Sequence, residues 1–183
     1  IWNHTIKAVK NLNPDPTLET LIPDFKGQKE NIQRVIDAAP EVVSHNIETV
    51  ERLTRQVRIQ AKYWRSMEVI KTLKEGGMRT KSGIMLGLGE QKEEVFQTLK
   101  DLYNAGCDVV TIGQYLQPSK RHLAVHRFVH PDEFAEYAAY GYELGLDYVE
   151  SGPLVRSSYH SERHVTPGIG KGQWEAKQAM MTA

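Results

Sequence analysis

The chain has 183 residues, 40% of them hydrophobic and 25% charged, which suits one folded domain or a piece of a larger one. Its 23 basic and 23 acidic residues cancel, so no global charge argues for nucleic acid or an anionic membrane. A single cysteine, Cys107, excludes an internal disulfide and an all-cysteine metal site. No apolar run is long enough to span a bilayer or to form a signal peptide, and a cytoplasmic protein is the expectation. The sequence starts at Ile1 without Met and enters a helical pattern almost at once, which reads as truncation.

In chain order, residues 2–12 predict a helix and 17–22 a strand closed by Pro23. Residues 28–39 place Ile32, Val35 and Ile36 on one helical face. A Val-rich strand is predicted at 41–46, then a helix at 66–75 stopped by Gly76-Gly77. Residues 81–88 predict a strand turning at Gly87-Leu88-Gly89. The amphipathic helix at 92–105 is expected to bury Val95, Phe96, Leu99, Leu102 and Tyr103, with Gly106 closing it. A strand at 108–115 follows. Pro131 then opens a helix with Asp132 and Glu133 in its first turn, Gly145 ends it, and 147–152 is the last strand. From Thr166 to the end the pattern loses its period, and a loosely ordered tail over 166–183 is expected after a first domain of residues 1–165.

Alternating strands and helices imply parallel pairing with helical crossovers, in an open doubly wound sheet or in part of a β/α barrel. No G-x-G-x-x-G and no Walker A sequence occurs, which weakens nucleotide-binding doubly wound readings. Ligands bind at the carboxyl ends of such strands. There, Asn46 and Glu48 stand two residues apart, so both side chains can enter one cavity, and an amide with a carboxylate suits a ribose diol. The same pair also reads as the start of the next helix. Gly87 and Gly89 admit close backbone approach to a flat ligand, or simply make a turn. Lys81, opening an apolar strand, could bind a carboxylate or lie at the sheet rim. The histidine spacings match no convincing zinc site, and no G-x-S-x-G elbow supports a serine hydrolase. Cys107, after a helix-ending glycine, reads as a small core residue.

Taken together, these stretches become specific. Residues 23–27 (PDFKG), 44–50 (SHNIETV), 81–90 (KSGIMLGLGE), 111–119 (TIGQYLQPS), 129–132 (VHPD) and 155–160 (VRSSYH) resemble the lipoyl synthase family in order and spacing, to about Val165. The resemblance implies a partial β/α barrel of the radical S-adenosylmethionine (radical SAM) type and the insertion of two sulfur atoms into an octanoyl chain on a lipoyl carrier protein. It implies two 4Fe–4S clusters and S-adenosylmethionine: one cluster cleaves that molecule to a hydrogen-abstracting radical, the other gives up sulfur. It also implies Asn46 and Glu48 as the ribose pair, and Gly87 and Glu90 within a G-x-I-x-G-x-x-E pattern that shapes an adenine pocket, with Met85 at the Ile position. Gln114 and Tyr115 would meet the cofactor on a later strand, with Lys81 and Arg156 as further contacts. Ser158 would be the oxygen ligand of the auxiliary cluster, with Ser157 the alternative. An oxygen is a poor match for a soft cluster and would release it more readily. The family's two cysteine triplets are absent, so this stretch should bind neither cluster by itself. Ala124 and Ile59 stand where many relatives have proline. A second reading is a non-catalytic remnant or accessory domain that binds a lipoyl carrier protein.

Overall fold

The computed structural model describes residues 1–182. Five parallel strands lie side by side in sequence order: Glu19–Leu21 (β1), Val42–Ser44 (β2), Arg79–Leu86 (β3), Val109–Gln114 (β4) and Tyr148–Gly152 (β5). The helices are Trp2–Leu12 (α1), Lys29–Ile36 (α2), Glu51–Val57 (α3), Tyr63–Glu75 (α4), Lys92–Asn104 (α5), Pro131–Leu144 (α6) and Ile169–Thr182 (α7). A doubly wound sheet reverses its strand order at a switch point. This sheet does not, and its helices pack in one layer on one face, as in a β/α barrel wall.

The strand alternation sorts the two faces. Ile84 and Leu86 of β3, Val110 and Ile112 of β4, and Val149 of β5 pack against Met67 and Ile70 of α4, Val95, Leu99 and Leu102 of α5, and Phe134 and Tyr137 of α6. A second core joins Val43 of β2 to Ile32 and Val35 of α2 and to Val69 and Leu73 of α4. The opposite, inner face carries the alternate residues Lys81, Gly83 and Met85 on β3 and Val109, Thr111 and Gly113 on β4, aligned by the register Lys81↔Val109 and Gly83↔Thr111. One face therefore supplies the apolar burial and the other is free for polar chemistry.

Local signals explain the helix ends. Glu94 reaches back to the Gln91 N–H, and Glu133 reaches back to that of His130, giving α5 and α6 capping boxes. Gly145 ends α6 at φ 105°, a left-handed conformation that a glycine takes without steric cost. In α5 Val95, Leu99 and Leu102 are buried as expected, but Tyr103 is exposed and Phe96 only half-buried, packed against Tyr137 and Tyr140. The short α3 escapes the periodicity reading because its apolar residues, Leu53 and Val57, are outnumbered by polar ones in seven residues. The region expected as a loose tail is helical over Ile169–Thr182. Its Trp174 stacks on Tyr142 with centroids 5.3 Å apart, a tertiary contact that the local pattern does not announce. Ala183, the last residue of that expected tail, lies outside the described residues.

Leu99 is fully buried between sheet and helices. Leu99→Ala should lower the unfolding free energy by about 2–5 kcal/mol in denaturant titration. A loss below about 1 kcal/mol would mean that the α5–sheet contact is not the core it is described as.

Candidate functional site

A cavity of about 330 Å³ opens on the inner face at the carboxyl ends of the strands. Asn46, Glu48, Gly83, Thr111, Gln114, Arg156 and Ser157 are among the residues that line it. Parallel strands direct every strand-to-helix connection to this end, so loops distant in sequence converge there.

The floor is made by an unusual backbone. β2 ends at Ser44, yet the chain continues beside β3: the Glu48 N–H donates to Gly83 O at 2.9 Å, and the Met85 N–H donates to Glu48 O at 2.8 Å. Between these bonds Glu48 adopts φ 66°, a left-handed conformation that costs a non-glycine residue about 1–3 kcal/mol. The two bonds hold it there, and both Asn46 and Glu48 line the cavity. Gly83 makes room for Asn46 and Thr111, since a Cβ there would lie 3.2 Å from Asn46 Oδ1 and 2.7 Å from Thr111 Oγ1. Burial pushes the Glu48 carboxyl above its ordinary range; the polar Asn46 amide and the Arg58 charge act in the opposite direction. The result is a carboxyl–amide pair turned toward a partly dry cleft, suited to a vicinal diol.

Arg58 was not anticipated from sequence. It lies in the α3–α4 loop, donates to Ile47 O at 3.1 Å and Ser66 Oγ at 3.2 Å, and faces Glu48 electrostatically. Only its isolation between Val57 and Ile59 hinted at a fixed position. Thr111 was also missed, although a strict two-residue alternation through β4 places it on the inner face, while Met85, expected within the pocket-shaping pattern of β3, does line the cavity.

The structure brings Asn46, Glu48, Gln114 and Arg156 together at the cavity, and it does not bring the remaining expected contacts to its wall. Lys81 shares the inner face but sits nearer the amino ends, 1% exposed, with Nζ held 2.8 Å from Glu19 Oε2. Its charge is satisfied below the cavity. Gly87 is filled by protein: a Cβ there would meet Gln114 Nε2 at 2.3 Å and Arg127 O at 2.4 Å. The Glu90 carboxylate folds back to accept from the Gly87 N–H at 2.7 Å and the Leu88 N–H at 2.9 Å, stabilising the turn after β3. The Tyr115 hydroxyl donates to Leu123 O at 2.8 Å, pinning the loop after β4. The Gln114 amide serves the same loop, donating to Arg127 O and accepting from the Val129 N–H.

After β5 the chain turns back over the inner face. Val155 O approaches Gly113 so closely that a Cβ there would be 2.4 Å away, and this contact sets Arg156 and Ser157 at the cavity. Ser158 is exposed, the next residue along but not part of the wall. The segment continues to His164, buried beside Tyr148 with ring centroids 4.9 Å apart. Burial and the neighbouring Lys81 and Arg79 push that imidazole down to about 4. His45, the buried histidine next to Asn46, is satisfied by Ile22 O at 3.0 Å and Ser66 Oγ at 2.9 Å. Among the described residues no cluster of His, Cys, Asp or Glu could hold a metal ion.

Glu48 gives a pH test. Its folded pKa lies above its ordinary value of 4.5, so the native state keeps the proton longer than the unfolded chain. Its contribution to stability is complete below that ordinary value and is lost as pH rises through the folded pKa. Glu48→Gln should remove this component, so that its stability relative to the native sequence rises between about pH 4 and pH 7 in denaturant titrations. A difference that stays constant over that range would contradict the burial of this carboxyl.

Comparison with known proteins places this geometry. Residues 3–102 match the model of the radical SAM superfamily. The chain is 65% identical over 166 residues to a protein named lipoyl synthase from Christiangramia forsetii, covering 90% of this chain and 57% of that protein. It is 62% identical over 166 residues to one named lipoyl synthase, mitochondrial, from Nematostella vectensis, with the same coverage of 90% and 57%. The chain therefore spans little more than half the length of these curated relatives. The crystal structure of a methylornithine synthase aligns with a TM-score of 0.52 at 17% identity, over 62% of this chain and 34% of that one, a likeness of fold. With its unreversed parallel sheet, one-sided helix layer and a family match over more than half its residues, the chain belongs to the radical SAM superfamily as part of its β/α barrel.

Proposed function

We propose that the protein carrying this chain is a lipoyl synthase, inserting two sulfur atoms into an octanoyl chain borne by a lipoyl carrier protein. The observation that carries the reading is the 65% identity to a protein of that name over 166 residues, a stretch that includes the strand ends around the cavity. In this reading Asn46 and Glu48 hold the ribose diol of S-adenosylmethionine. Arg156, a cation at the same cavity, pairs with its carboxylate. S-adenosylmethionine supplies the hydrogen-abstracting group; this chain's residues bind and orient it. Gln114, Tyr115, Gly87 and Glu90 act one step back, by fixing the loops that frame the cleft. Lys81, bound to Glu19, sets the level at which the inner face closes below it.

The iron–sulfur clusters do not fit the residues present. The one thiol, Cys107, is buried, donates to Val109 O at 3.2 Å and is pushed up to about 12, so it stays protonated and cannot ligate iron. Cysteine ligands for both proposed 4Fe–4S clusters must therefore come from outside these residues. Ser158 is the proposed oxygen ligand of the auxiliary one. A buried thiol of this kind accords with a cytoplasmic enzyme, which we include in the proposal.

Two measurements test it. Asn46→Ala with Glu48→Ala should weaken S-adenosylmethionine binding at least about tenfold by calorimetry, and an unchanged dissociation constant would remove the ribose role. Ser158→Ala should retain 5′-deoxyadenosine formation while lipoyl formation falls. If Ser157→Ala shows that pattern and Ser158→Ala does not, the ligand is the cavity-lining serine instead.

A further inference from the structure

Three polar side chains behind the cavity are joined in one run of hydrogen bonds. His45 and Ser66 are buried and Arg58 is half-buried. None of the three is among the residues that line the cavity. The His45 ring lies 3.0 Å from Ile22 O through Nδ1 and 2.9 Å from Ser66 Oγ through Nε2. Arg58 Nη1 lies 3.1 Å from Ile47 O and 3.2 Å from Ser66 Oγ. A carbonyl only accepts, so Nδ1 carries the ring proton. Burial and the nearby Arg58 and Arg65 charges hold this imidazole below its ordinary range, against the pull of Ile22 O, so the ring is neutral and Nε2 accepts. One arrangement of protons then satisfies every member. Arg58 donates to Ile47 O and to Ser66, Ser66 donates to His45, and His45 donates to Ile22 O.

This network grips the chain on both sides of Asn46. His45 precedes it, and its backbone is also tied to β3, donating to Lys81 O at 2.9 Å and accepting from Ser82 Oγ at 2.9 Å. Ile47 follows it, and its carbonyl accepts twice, from Arg58 and from the Thr49 N–H at 2.8 Å. The Thr49 bond spans Glu48, whose φ of 66° makes this a tight, strained three-residue turn. A hydrogen bond from a cation is stronger than a neutral one, so Arg58 secures the carbonyl on which the turn closes. Apolar side chains at these three positions would fill the space without the cost of burying polar groups. A fully satisfied buried network instead fixes a single arrangement. We infer that Ser66, His45 and Arg58 are positioning residues: they hold Asn46 and Glu48 in the geometry that a ribose diol requires, and so set the preference of the cavity for that diol. The inference rests on the reading of Asn46 and Glu48 as the ribose pair.

The test compares S-adenosylmethionine with its 2′-deoxy analogue in calorimetric binding to the cluster-loaded protein that carries this chain, under non-reducing conditions. The native protein should prefer the intact diol at least about tenfold. Ser66→Ala removes one oxygen from a helix and cuts the network at its centre. It should weaken S-adenosylmethionine binding about three- to tenfold and leave binding of the 2′-deoxy analogue unchanged, so the preference falls by the same factor. Arg58→Met, unbranched and without a donor, should act in the same way, and it carries the test if Ser66→Ala does not fold. Equal weakening of both ligands would show general loosening and overturn the proposal. A native-like preference in both variants would also overturn it while leaving the ribose role of Asn46 and Glu48 intact. Absence of any preference in the native protein would sink that ribose role itself, and the positioning role with it.

Discussion

The site depends on one exchange of backbone hydrogen bonds, that of Glu48 with Gly83 and Met85. It extends the β2–β3 pairing beyond the end of β2 and forces Glu48 into a left-handed conformation. A relaxed residue would let the chain leave the sheet directly after Ser44. Instead Asn46 and Glu48 are carried to the cavity beside Gly83, whose missing side chain gives Asn46 room. Strain of this size is tolerable because the β3 side of the exchange is anchored in the main core through Ile84 and Leu86.

The rest of the cleft follows from sheet polarity. Strands in unreversed order send every outgoing loop to one end, and helices confined to one face leave the other open. The loop after β4 is fixed by Gln114 and Tyr115, and the turn after β3 by Glu90. The segment after β5 closes against Gly113, while Lys81 and His164 fill the inner face below. At this lower level Lys81 is satisfied by Glu19, whereas neither ring nitrogen of the buried His164 has a hydrogen-bond partner among the described residues.

Much of this was legible in sequence. The five strands and most helices follow from local period and from glycine and proline punctuation, signals carried by short stretches of chain. The Asn46–Glu48 spacing suggested one shared cavity, and both residues line it, but strand parity is not the reason: Glu48 is left-handed, and its exchange with Gly83 and Met85 sets the pair there. What was illegible is what depends on partners. Lys81 has inner-face parity, but only the neighbouring β1 shows that Glu19 takes its charge. Gly87 carries the mark of a ligand-facing glycine, yet Gln114 and the Arg127 backbone occupy the space it leaves. Arg58 owes its position to acceptors on Ile47 and Ser66, brought together only by folding.

The central claim is that the bent backbone at Glu48 exists to present a diol-binding pair to a nucleoside. A crystal structure of the intact protein with S-adenosylmethionine tests it most directly. The account predicts ribose hydroxyls within hydrogen-bond distance of Asn46 and Glu48, with Glu48 still left-handed and bonded to β3. A nucleoside seated elsewhere, or a Glu48 backbone relaxed and detached from Gly83 and Met85, would contradict it.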